Sequence, residues 1–114
     1  MNILIILNDP PYGTERSFNG LRLAKALGKA EASVTVFLMA DAVVCANRGQ
    51  QVPQGYYNLE LMLKSVARTG KVLLCGTCMD ARGITDKAII DGAKRSTMAE
   101  LAERTLAADR VMVF

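Results

Sequence analysis

The run 3-ILIIL-7 and the turn that stops it, 8-NDPPYGT-14, decide how the chain folds. An unbroken apolar stretch has no polar face to offer water, so it suits a strand buried on both sides, as inside a parallel sheet. Pro10 and Pro11 stiffen the turn, and Gly13 permits unusual dihedrals. Thr14 can then cap a helix that runs to about Lys29, with Leu23, Ala26, Leu27 and Ala30 along one face at spacings of three and four.

The same alternation continues. Residues 33-SVTVFLM-39 make a second strand and 40-ADAVVCAN-47 a short helix. A polar loop, 47-NRGQQVPQG-55, follows; it either covers a crevice or docks on a neighbouring subunit, with Arg48 solvated. Asn58 caps the next helix, whose Leu59, Met62, Leu63 and Val66 follow the amphipathic pattern, and Gly70 ends it. Residues 71-KVLLC-75 make the third strand. A loop comes next, then a short helical stretch near 85-TDKAIID-91, a polar strand at 93-AKRS-96, and a helix opened by the T-x-x-E capping box at Thr97–Glu100. That helix shows Met98, Leu101, Ala102 and Thr105 on one face, and 110-RVMVF-114 is the last strand. Strands and helices in alternation predict a three-layer α/β/α sandwich around a mostly parallel sheet, in one domain over residues 1–114.

Composition narrows the function. Of 114 residues 51% are hydrophobic and 5% aromatic, which suits strands covered by Ala- and Leu-rich helices. The charge of +3, from 14 basic and 11 acidic residues, comes without a dense basic run, so nucleic-acid binding is not indicated. No segment nears the roughly 20 apolar residues of a membrane span, and the N-terminus lacks the basic region of a signal peptide. Three cysteines cannot all pair within the chain; free thiols and a cytoplasmic location are expected. There is no histidine. That removes Cys-His and Ser-His-Asp activation, and it argues against a structural zinc, which wants four Cys or His ligands. No metal and no cofactor are expected.

In an open parallel sheet, sites gather at the C-terminal ends of strands. Three segments fall there. The first brings Asn8, Tyr12 and Gly13, the second Ala40 and Asp41, and the third, 75-CGTCMDARG-83, the C-x-x-C of Cys75 and Cys78 with Gly76, Thr77, Asp80, Arg82 and Gly83. The turn 10-PPYGTERS-17 lacks any nucleotide-binding glycine pattern. Tyr12 is either a lid or a packed turn residue, and the methionines fill core or contact positions. A thiol becomes a nucleophile when its thiolate is stabilised by backbone N–H groups or a cation. Gly76 and Gly83 allow amides to converge on Cys75, and Arg82 supplies charge, while Asp80 opposes that charge or holds Arg82 in place. A thiol more acidic than a free one is expected. The bland reading is that both cysteines are small core residues, as Cys45 in its Ala/Val-rich surroundings is taken to be.

Seven stretches taken together, 10-PPYG-13, 17-SFNGLRLAKAL-27, 37-FLMADAV-43, 48-RGQ-50, 73-LLCGTCMDARGI-84, 90-IDG-92 and 105-TLAADRVMVF-114, resemble the DsrE/DsrF-like family of small sulfur-relay proteins, and most of all its YchN-like branch. The resemblance implies a five-stranded α/β/α fold, a cytoplasmic homo-oligomer, commonly a hexamer, and the handling of sulfane sulfur with a donor or acceptor protein. It also implies a persulfide on the cysteine eight residues before the glycine of R-G, which is Cys75 here, with Cys78 as the branch's second cysteine. Three functions stay open: a sulfur carrier, a dithiol–disulfide redox module, and an oligomeric interaction protein whose cysteines only pack.

Overall fold

A computed structural model describes residues Met1–Phe114. Five strands, β1 (Asn2–Leu7), β2 (Ser33–Leu38), β3 (Lys71–Cys75), β4 (Ala93–Ser96) and β5 (Arg110–Val113), form one sheet in the order β4-β3-β2-β1-β5. Every pairing is parallel, so the mostly parallel sheet of the sequence reading is wholly parallel. The register between β1 and β2 runs from Asn2 opposite Ser33 to Leu7 opposite Leu38. Four helices connect the strands: α1 (Arg16–Lys29), α2 (Leu59–Thr69), α3 (Gly76–Ala81) and α4 (Met98–Ala107). From β1 to β4 the chain steps across the sheet in one direction; α4 then carries it back to β5 beside β1. Right-handed crossovers place α1, α2 and α3 on one face and α4 on the other. The run Ile3–Leu7 is buried on both sides, apart from a half-buried Ile6.

Several local readings change. In α1 the buried stripe is Ser17, Gly20, Leu21 and Ala24, whereas Ala26 and Ala30 are exposed. Small residues on that stripe let the helix approach the sheet, where a Cβ on Gly20 would run into Leu7 and the Phe114 ring. Helix α1 also starts at Arg16, and Glu15 at its N-cap makes no side-chain bond; the Thr14 hydroxyl accepts the Arg16 N–H at 3.3 Å and donates to Asp9 at 2.7 Å. The loop expected after the C-x-x-C is α3, and the helix expected near 85–91 shrinks to a single 3-10 turn, Asp86–Ala88. In α4 only Leu101 is buried, so Met98, Ala102 and Thr105 do not share a core face. The caps at Asn58 and Thr97 form as expected, accepting the N–H groups of Leu61 and Glu100.

Helix α1 closes with Glu31 in the left-handed region at φ 68°. The Glu31 N–H donates to Gly28 O and the Ala32 N–H to Leu27 O, both at 3.0 Å, the two bonds of a Schellman motif. Glycine is the usual occupant of that position because it has no Cβ to strain. Glu31→Gly is expected to raise stability by about 1 kcal/mol, seen as a higher urea midpoint at unchanged slope.

Candidate active site

Parallel pairing brings the ends of β2, β3 and β4 side by side, and both C-x-x-C thiols lie there. Cys75 is the last residue of β3 and the N-cap of α3; it is 8% exposed. Its Sγ accepts the Cys78 N–H at 3.3 Å. Cys78, one turn along α3, is half-buried, and its Sγ accepts the Ala40 N–H at 3.2 Å. Ala40 is held at φ 50°, a left-handed conformation that costs an L-residue about 1–2 kcal/mol. That conformation sits where the chain leaves β2, and it aims an amide at the Cys78 sulfur. A groove of about 640 Å³ opens over the two thiols, bounded by Met39 on one side and by Arg95, Ser96 and Met98 on the other.

The cations are arranged differently from the sequence reading. Arg82 does not reach the thiols. Its Nε and Nη2 hold Asp41 at 2.9 and 2.8 Å, and its Nη1 donates to the Cys78 carbonyl at 3.1 Å, so it ties the end of α3 to the 3-10 segment Ala40–Ala46. Asp80 does not hold Arg82 either; it pairs with Arg95 at 3.0 Å. Arg95 also donates to Gly76 O at 3.1 Å and to Asp86 at 2.9 Å, drawing the edge strand β4 onto α3. This closeness leaves little room at Gly76: a Cβ there would lie 3.1 Å from Arg95 Cγ, Arg95 Nη1 and Ser96 O. These ion pairs are part-exposed, so their worth lies in position more than in stability.

The thiol chemistry is also corrected. Burial pushes the Cys75 thiol above its ordinary value and the neighbouring Cys78 thiol adds to that, outweighing the Cys78 N–H that works the other way. The more acidic thiol expected at Cys75 is therefore not found. Cys45 is fully buried, as its core reading required, and burial pushes its thiol up to about 12.

Thr77 and Asp80 join the two cysteines, Gly76 and Arg95 around the groove. Ala40 contributes through its amide, and Asp41 only through Arg82. Gly83, at φ 66°, does not aim amides at sulfur; it ends α3, with its own N–H on Asp80 O and the Ile84 N–H on Met79 O. Asn8 extends the β1–β5 pairing by donating its N–H to Phe114 O. Gly13 keeps an ordinary φ, and the left-handed residue of that turn is Tyr12, at φ 67°. Tyr12 packs on the 47–55 loop rather than over the thiols: its hydroxyl donates to Gln50 and accepts the Leu59 N–H, and its ring stacks on Tyr57 at 5.8 Å. Arg48 is not merely solvated, since it pairs with Asp91 at 2.7 Å. Sequence reasoning missed Arg95 and Met98. The register of Cys75 opposite Ser96, had it been known, would have placed Arg95 beside the site.

The family model described as DsrE/DsrF-like matches residues 1–114. The chain is 46% identical to Protein YchN of Escherichia coli K12, over 98% of this chain and 97% of that one. It is 32% identical to the uncharacterised protein MJ0989 of Methanocaldococcus jannaschii over the full length of both. The crystal structure of the Escherichia coli YchN protein superposes with a TM-score of 0.94 at 45% identity, covering 100% of this chain and 99% of that one. A Methanobacterium thermoautotrophicum protein, MTH1491, shares the fold alone, with a TM-score of 0.77 at 11% identity.

Two outcomes follow from the thiol environments. At pH 8, iodoacetamide is expected to modify Cys78 before Cys75, checked by peptide mass spectrometry; equal rates would contradict the burial of Cys75. Cys45 gives a pH effect. The unfolded chain releases this proton near 9 and the folded chain holds it to about 12, so stability is intact below pH 9 and declines through that window. The loss approaches about 1.4 kcal/mol per pH unit, and Cys45→Ala is expected to flatten it in urea titrations run from pH 8 to 11.

Proposed function

The chain belongs to the DsrE/DsrF-like family, whose membership suggests sulfur relay, and on that premise we propose that it carries sulfane sulfur as a persulfide on Cys78. One observation carries the choice of cysteine. Cys78 is the more exposed thiol, and its sulfur already accepts an oriented amide, from Ala40. That N–H holds the Cys78 sulfur in a fixed orientation at the groove. Cys75 is too enclosed to meet a donor first.

In the forward step the Cys78 thiolate attacks the outer sulfur of a donor R–S–SH. A new sulfur–sulfur bond forms as the donor's breaks. The leaving thiolate takes up the proton that Cys78 gave, so RSH departs and Cys78–S–SH remains. No electrons are gained or lost overall, and no metal or cofactor is needed. Handing the outer sulfur to an acceptor thiolate reverses the same exchange.

Cys75 supplies a second reading. Its sulfur lies against the Cys78 N–H, one turn from the Cys78 thiol. Attack by the Cys75 thiolate on the inner sulfur of the persulfide would release HS⁻ and leave a Cys75–Cys78 disulfide. A two-electron dithiol reductant would then reset the pair. In this form the site is a thiol redox module.

The setting belongs to the same proposal: a cytoplasmic homo-oligomer, a hexamer in the family pattern, that meets a donor or acceptor protein at the sheet edge. Support for assembly comes from the lone helix α4. Beside it the outer strand β5 leaves Val113 64% exposed, and Leu106 on α4 is 89% exposed. Exposed apolar side chains at these positions support a protein contact there.

Intact-mass spectrometry of the reduced protein, with and without a small-molecule persulfide donor, tests the assignment. A gain of about 32 Da that survives Cys75→Ser and vanishes in Cys78→Ser is expected. A gain that survives only in Cys78→Ser would move the persulfide to Cys75. Loss of two mass units with no sulfur adduct would replace the carrier by the redox module. No change at all would leave the cysteines to packing.

A further inference from the structure

The groove over the thiols is lined by a second kind of sulfur. Met39 and Met98 reach it from separate elements, the end of β2 and the first turn of α4. Met39 is half-buried and packs against the core, but neither is sealed as Met79 is, which is fully buried in α3. Met98 in particular is 62% exposed although it stands beside the sheet edge. Together with Cys75 and Cys78, four sulfur-bearing residues therefore line one groove.

The harder ligands nearby are committed elsewhere. The Asp80 carboxylate is held by Arg95, and Asp41 by Arg82. What is left uncommitted is soft and polarisable. Soft thiolate and thioether donors select Cu(I), whereas zinc wants four thiolate, imidazole or carboxylate ligands. The chain has no histidine to complete a zinc site, and Cu(I) does not require one.

We propose that this groove is a Cu(I) site, with Cys75 and Cys78 as thiolate ligands and Met39 and Met98 as thioether donors. Binding exchanges two S–H protons for one Cu⁺, releases both protons to solvent and moves no electrons. The product carries one net negative charge. Two backbone amides are already aimed at it, the Cys78 N–H at the Cys75 sulfur and the Ala40 N–H at the Cys78 sulfur. Such partners orient ligands and tune the metal. Because protons leave as copper enters, affinity rises with pH. The site goes beyond the sulfur-carrier reading: it shares the two thiols but stands or falls on metal binding.

The test is anaerobic titration of the reduced full-length protein with Cu(I) in competition with bicinchoninate, whose copper complex is coloured. Wild type is expected to withdraw one equivalent of copper per chain and to gain a thiolate-to-copper absorption in the near ultraviolet. Cys75→Ser and Cys78→Ser, each checked for folding by circular dichroism, should lose this. The double variant Met39→Leu/Met98→Leu should hold copper about tenfold more weakly. Failure of the wild type to take copper from the chelator would overturn the site, as would Zn(II) displacing Cu(I) at equal concentration. Undiminished affinity in the methionine double variant would overturn the thioether ligands. The sulfur-adduct mass is read on the same samples without copper, so loss of sulfur loading and loss of copper binding register separately.

Discussion

All five strands run the same way, and most of what is distinctive about the molecule follows from that constraint. Parallel neighbours cannot be joined by tight hairpins, so each connection crosses a face of the sheet. Their C-terminal ends must then share one edge. Cys75, Ala40 and Ser96 are far apart in the chain and become neighbours only because β2, β3 and β4 finish together. The edge is drawn tight at two places. Gly76 lets β4 close on α3, and the left-handed Ala40 turns its amide onto the Cys78 sulfur. Strained backbone of this sort persists where the surrounding structure over-determines it, and here it does so at the thiols.

The polar groups of the site are mostly turned on one another. Arg82 is occupied by Asp41 and the Cys78 carbonyl; Arg95 by Asp80, Asp86 and the Gly76 carbonyl. They act as braces for α3 rather than as a field on the thiols. An incoming molecule consequently meets sulfur, hydroxyl and hydrocarbon more than charge. Burial, not a neighbouring cation, dominates the Cys75 thiol, and the two cysteines differ in exposure.

The sheet was legible in the sequence because its signal is local. An apolar run such as Ile3–Leu7 declares burial on both sides, and even the polar strand 93–96 could be placed by alternation. Helix α3 escaped because six residues beginning Gly-Thr-Cys carry too little periodicity to distinguish a helix from a turn. Closeness in sequence points to Arg82, but closeness to the groove is set by strand register, which no local pattern reveals. Tyr12 and Gly13 show the same limit at one residue. Glycine is the natural guess for a left-handed position, yet the Tyr12 hydroxyl, bonded to Gln50 and Leu59, holds the neighbour there instead. The third cysteine was read correctly because burial is what an isolated thiol among Ala and Val most often means.

That third cysteine also makes the molecule its own recorder of fluctuation. Cys45 is sealed under the turn that follows β1, with its sulfur 3.8 Å from the Asp9 carbonyl. A thiol reagent meets it only while the 3-10 segment or that turn is lifted. When reclosing outruns labelling, the rate counts the population of the opened form, as amide exchange does for backbone groups. A single buried sulfur thus turns transient loosening around the functional edge of the sheet into a covalent mark that can be weighed.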